Sequence, residues 1–307
     1  MVLVPSAPGP AVTAMRGLTA DAQMLAARLP ALRLEAKRVA QTVAFGVHGR
    51  RRAGPGDSFW QFRQYETSDT RNLIDWRRSA NSNRLFVRQR EWEAAHTVWL
   101  WVDLTPSMAF ASHLAHVSKR DRALVLMFAT ADLLVQGGER VGLIGLTPPA
   151  AARNTTERMA EALIADARRR GPTSHNLNGA KLSRQADCIL FGDFLDPPDE
   201  LATPFEQIAA QGVRGHLVQV LDPAEETLAY SGRIEFSDPE NGGKWLASRA
   251  EQLRERYQGR LAEHRAALDE GLTKLHWSRL LHHTDRPAGE ALLALHGRLS
   301  GEAVRWP

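Results

Sequence analysis

From Thr97 onward, short unbroken apolar runs alternate with longer stretches in which apolar residues recur every three or four positions. "TVWLWVDLT", "RVGLIGLT", "ADCILFGDFLD", "VRGHLVQVLDP" and "TKLHWSRLLHH" read as strands. The continuous ones suit a parallel sheet covered on both faces. Between them, "SKRDRALVLMFATADLLVQGG", "NTTERMAEALIADARRRG", "PDELATPFEQIAAQG", "GKWLASRAEQLRERYQGRLAEHRAALDEG" and "RPAGEALLALHGRL" carry helical periodicity, several closing on glycine. "GRIEFSD" adds a short strand. Strands alternating with helices predict a three-layer α/β fold around a mostly parallel sheet.

Upstream, the pattern is less regular. The first eighteen residues, rich in proline and alanine, are expected to be disordered. A helix begins near Thr19 and is expected to break or kink at Pro30. A Gly- and Arg-rich loop follows, then a segment mixing aromatics and turn residues with a short strand around "RLFVRQREWE". The predicted division is 1–18, 19–95 and 96–300, the last holding the sheet.

Charge sharpens the picture only locally. The 307 residues carry a formal net charge of +4, and ten arginines face four acids between Arg50 and Arg90. Such a patch serves a phosphate backbone or an acidic protein partner equally well. Five of the eight tryptophans lie between Trp60 and Trp101, so Arg63, Arg71, Trp76, Arg77 and Arg78 are candidate partner-binding residues. Trp and Arg are enriched at interaction hot spots. An aromatic and arginine platform for single-stranded nucleic acid is the alternative. The single cysteine, Cys188, lies in an apolar run and reads as a buried, inert thiol. No stretch reaches the roughly 18–20 apolar residues of a membrane span, and the N-terminus lacks a basic region leading an apolar core. A soluble cytoplasmic protein is expected.

The chemistry gathers where strands end. Ligands of open α/β sheets bind beyond the carboxyl ends of the strands. Asp103, Thr105 and Ser107 follow the first strand, Thr173 lies in "RGPTSHN", and Asp193 and Asp196 follow "ILFG". If they converge, carboxylates and hydroxyls without histidine or thiolate suit Mg²⁺ or Mn²⁺. Such an ion keeps an open position that another protein's carboxylate could fill. The same three residues of the first loop are also good helix caps, and Asp196, before two prolines, reads as a turn residue. A phosphatase of the strand-end aspartate type needs a second carboxylate two residues on, where Thr105 stands. No Gly-x-Gly-x-x-Gly or P-loop pattern supports nucleotide binding. His282 and His283 have no acid or thiol partner by spacing and read as surface or loop histidines.

Asp103-Leu-Thr105-Pro-Ser107 resembles the metal-ion-dependent adhesion motif, Asp-x-Ser-x-Ser, of von Willebrand factor A domains. Thr173 is similar to that motif's second-loop threonine and Asp193 to its third-loop aspartate, with Gly192 where a Ser or Thr is usual. Upstream, Arg63, Tyr65, Asp69, Arg71, Ile74, Asp75 and Trp76 fall in a pattern similar to the signature of the bacterial domain-of-unknown-function 58 family, with Ser68 at a usual glycine. The resemblance covers roughly residues 45 to 285. It implies a von Willebrand A-like domain with an additional N-terminal segment, and association with a MoxR-type AAA+ ATPase in chaperone-like assembly or metal insertion. The expectation is a non-enzymatic interaction module holding Mg²⁺ or Mn²⁺ through Asp103, Thr105, Ser107, Thr173 and Asp193. The alternative is a nucleic-acid-binding protein working through residues 50–90.

Overall fold

The computed structural model describes residues 10–48, 59–65, 74–80, 84–90, 95–170, 176–240 and 242–299. Two compact units emerge, one formed by residues 1–45 with 97–307 and the other by Gly46–His96.

The larger unit is built on six strands: β3 (Thr97–Val102), β4 (Arg140–Leu143), β5 (Thr147–Ala150), β6 (Asp187–Gly192), β7 (Arg214–Leu221) and β10 (Ser278–His283). Their order is β10-β7-β6-β3-β4-β5, parallel throughout except for β5, which turns back on β4. The apolar runs become the interior strands: every residue of β6 is buried, Cys188 included. Burial pushes the Cys188 thiol pKa far up, which keeps it inert. Strand order reverses between β3 and β6, so a crevice opens beyond their carboxyl ends.

Helices cover both faces. On one lie α3 (Lys119–Gln136), α4 (Thr155–Arg170) and α8 (Ala288–Leu299). On the other, α5 (Pro198–Ala209) and α7 (Arg254–Lys274) bury Phe205, Ile208, Leu268 and Leu272 against Trp101, Cys188, Leu190 and Leu217. Gly215 on β7 is obligatory in this layer, since an added Cβ would lie 2.0 Å from the Trp277 ring. The three-layer, mostly parallel architecture is the one the apolar pattern predicts.

Several elements depart from the sequence reading. The first helix, α1, runs from Pro10 to His48 straight through Pro30. It therefore begins inside the stretch expected to be disordered, and its residues up to Phe45 group with the sheet rather than with the Arg-rich segment. Leu25, Leu29, Leu32, Ala36, Ala40 and Val43 form its buried stripe, and Arg28 pairs with Asp121 in the first turn of α3. Packing of that stripe outweighs the single hydrogen bond Pro30 removes. The long helix expected from Gly243 starts only at Arg254, because Lys244–Ala247 forms strand β9 against β8 (Ile234–Ser237). The short helix α6 (Pro223–Thr227) was not expected either.

His282 and His283 are also not loop residues without an acid partner. They lie in β10, where His282 is buried and His283 is 3.1 Å from the Glu226 carboxylate. No described helix is long and apolar enough to cross a membrane.

The smaller unit pairs β1 (Phe59–Gln64) with β2 (Phe86–Arg90) in an antiparallel ladder beside a short helix, α2 (Trp76–Ser79), capped by the Asp75 carboxylate.

Gly215→Ala is expected to lower stability by about 1–3 kcal/mol through overpacking against Trp277, read from urea denaturation. Burial, then the charges of Arg122 and His283, pushes the His282 pKa from 6.5 to about 3. The unfolded chain therefore takes up this proton first, and stability present above pH 6.5 is lost as pH falls toward 3. His282→Leu should flatten that part of the stability–pH curve.

Candidate functional site

β3 delivers the first loop. The Asp103 N–H extends the sheet ladder by donating to the Phe191 carbonyl at 2.8 Å, which fixes the carboxylate at the strand's end in a buried position. Asp103 Oδ1 then accepts from the Thr105 N–H at 2.9 Å and from the Thr105 hydroxyl at 2.7 Å. Thr105 is extended, as a residue before proline prefers, and Pro106 opens a single 3₁₀ turn over Pro106–Ala109 anchored by buried Met108. That turn brings the Ser107 hydroxyl to 3.1 Å from the Thr105 hydroxyl. Because the Thr105 proton is engaged by Asp103, Ser107 is the donor in this contact. The result is a relay from Ser107 through Thr105 to a buried carboxylate.

β6 delivers the second loop beside the first. Gly192 adjoins Asp103 so closely that an added Cβ would lie 3.1 Å from the Asp103 Cβ. A Ser or Thr at this place, usual in the adhesion motif, would crowd Asp103. Asp193 follows, buried, and its Oδ2 accepts from Lys119 Nζ at 2.7 Å. Lys119, the first residue of α3, is itself buried and also donates to Glu225 Oε1 at 2.6 Å. Burial works against its charge, yet the Asp193 and Glu225 carboxylates together raise its pKa, so it stays an ammonium. Burial also raises the pKa of Glu225, with Lys119 opposing.

A third strand end completes the surroundings. Asp222, fully buried after β7, caps α6 by accepting from the Ala224 N–H, while Glu225 Oε2 accepts from the Asp222 N–H. Asp222 also accepts from the N–H and hydroxyl of Ser112, at 2.8 and 2.5 Å. Tyr257 on α7 donates to the Glu225 carbonyl at 2.6 Å. At the mouth, the pKa of Asp196 is raised by partial desolvation first and then by the charges of Asp193, Glu200 and Glu240. Glu240 lies between β8 and β9, and its Oε1 accepts from the Ser107 N–H at 3.0 Å.

Of the expected ligands, Asp103, Thr105 and Ser107 are joined by hydrogen bonds at the end of β3, Asp193 follows the adjoining β6 with its carboxylate on Lys119, and Thr173 lies outside the described residues. Arg71 is outside them too. Arg63 lies in β1 opposite Val87. Trp76, Arg77 and Arg78 form one exposed turn, with Trp76 64% exposed and Arg78 5.6 Å from the Phe86 ring centroid. Among the described residues no group of three His, Cys, Asp or Glu is arranged to hold a metal ion. Sequence reading missed Lys119, Glu225, Asp222 and Glu240. Asp222 could have been found as a third strand-end aspartate, but nothing in "SKRDRAL" marks Lys119 as buried.

The family described as "Protein of unknown function DUF58" matches residues 61–267, two thirds of the chain. The chain belongs to this family. Relatives of this DUF58 chain include the uncharacterized proteins Rv1480 of Mycobacterium tuberculosis and Mb1516 of Mycobacterium bovis. Each is 28% identical over 259 residues, covering 80% of both partners. Among solved structures, BatB from Bacteroides thetaiotaomicron aligns over 68% of this chain and all of its own, at 9% identity and a TM-score of 0.39. An uncharacterized membrane-spanning protein from Vibrio fischeri aligns over 67% of this chain and 98% of its own, at 15% identity and a TM-score of 0.17.

Lys119→Met would leave Asp193 and Glu225 buried without their cation. A loss of about 3–5 kcal/mol in urea denaturation is expected. Adding Glu225→Gln should recover part of it.

Proposed function

We propose that this DUF58 chain is a non-enzymatic protein-docking module whose partner engages the crevice between β3 and β6. The observation that carries this reading is the relay of Ser107, Thr105 and buried Asp103 at the point where strand order reverses. Asp103 accepts the hydrogen bond of the Thr105 hydroxyl and so leaves hydroxyl lone pairs for a ligand. The two hydroxyl oxygens lie 3.1 Å apart. Adjacent ligands of an octahedral ion with bonds of 2.0–2.1 Å are about 2.9 Å apart, so this pair fits Mg²⁺ or Mn²⁺.

In this reading Thr105 and Ser107 hold the ion and Asp103 orients them. Asp193 adds charge nearby, with one carboxylate oxygen already committed to Lys119. The ion would supply a bridge to a carboxylate of the partner. Lys119, held by two carboxylates, is not placed to act as a base. The resemblance favours a MoxR-type AAA+ ATPase as the partner, in cytoplasmic chaperone-like assembly. The exposed turn of Trp76, Arg77 and Arg78 supports a second contact of the same kind, and the nucleic-acid alternative would rest on these same side chains.

Calorimetric titration of Mg²⁺ and Mn²⁺ should give saturable binding that Asp103→Ala abolishes. Identical isotherms for the two proteins would overturn the metal-bridged reading.

A further inference from the structure

Glu240 reaches the proposed docking site from 133 residues away in sequence. It sits at the end of the hairpin made by β8 and β9, outside the six-stranded sheet. Asp238 builds the turn that presents it. The Asp238 carboxylate accepts from the Glu240 N–H at 2.8 Å, and the Asp238 carbonyl accepts from the Gly242 N–H at 2.9 Å. The exposed carboxylate so presented accepts from the Ser107 N–H, on the residue whose hydroxyl ends the relay.

The rest of the hairpin is held lightly. Trp245 and Leu246 are 54% and 46% exposed. Lys244 and Glu235 make an ion pair exposed on both sides, of a kind that contributes little. Its attachment runs through buried Ala247 and through rings: Phe236, stacked on Trp245 within the hairpin at 5.8 Å, meets Tyr230 edge-on at 5.9 Å, and Tyr230 meets His113 at 6.4 Å. An isolated two-stranded hairpin is marginal in water. This one therefore has both a ligand-like tip and the means to leave.

We propose that the β8–β9 hairpin is an internal stand-in for the partner: an acidic side chain beside an aromatic residue, held on the site until a partner segment of the same chemistry replaces it. This rests on the crevice being the docking site. The recognised segment would carry a Glu or Asp for Ser107 and an aromatic side chain for the Tyr230 edge. Like charges at Asp196, Glu200 and Glu240 crowd the mouth, so a second acid gains its place only as Glu240 gives it up. An internal ligand competes at the millimolar effective concentration typical of short tethers, which lowers apparent affinity for an external one.

The probe is a synthetic peptide of residues 234–247, "IEFSDPENGGKWLA", titrated calorimetrically into the full chain in Mg²⁺. Binding to the Glu240→Ala protein should be at least about tenfold tighter than to the parent, as release of a tethered competitor requires. A peptide with alanine in place of Glu240 should bind neither. Equal affinity for both proteins, indifference to Glu240 of the peptide, or no binding to either overturns the proposal. Repeating the titrations in EDTA separates the two readings. Glutamate-dependent binding that survives EDTA keeps the hairpin as stand-in and removes the metal bridge. Mg²⁺ uptake without any effect of Glu240→Ala removes the stand-in alone.

Discussion

Lys119 carries a full positive charge where almost no water reaches it, and the crevice is arranged around that charge. An ammonium in such a place must be matched by carboxylates with good geometry, and β6 and the turn after β7 each supply one, Asp193 and Glu225. The ion triad thereby ties the start of α3 to two strand ends. Glu225 also belongs to the cap of α6, whose Asp222 holds Ser112 in the loop that follows the first turn. Through these links one buried cation sets the spacing of three loops that sequence places far apart.

The same constraint explains an unevenness in the crevice. On the β3 side, Asp103 orients hydroxyls: it accepts from the Thr105 hydroxyl, which lies 3.1 Å from that of Ser107. On the β6 side, Asp193 looks inward to Lys119 and its carbonyl accepts from Gln219. One half is therefore a hydroxyl relay and the other a structural ion pair. Gly192 allows the two to lie side by side, because any side chain there would push into Asp103. Conformational strain is held next door: Phe194 adopts a left-handed backbone with φ of 49°, and its carbonyl contacts His264 on α7 at 2.8 Å.

Most of the sheet was legible because burial on both faces leaves a simple trace, an unbroken apolar run, as in "TVWLWV" and "DCILFG". Elements with weaker traces were not. β5 reads "TPPA", with two prolines, and pairs with β4 on one side only, as an edge strand. β9 begins what looks like a helix, and its ladder with β8, where Trp245 pairs with and stacks on Phe236, makes it a strand. His282 and His283 looked like solvent-facing polar residues. They are buried or paired because α3 and the Glu226 and Arg265 pair lie beside β10.

By itself the sequence determined the layered α/β class, the run of Asp103, Thr105 and Ser107 at one strand end, and Asp193 at another, since local periodicity and spacing encode these. Only the tertiary structure decided which charges meet. Lys119 and Glu225 are 106 residues apart, and Ser107 and Glu240 are 133 apart. Whether a charged residue is solvated or buried depends on which elements close over it, and no local pattern in the chain records that.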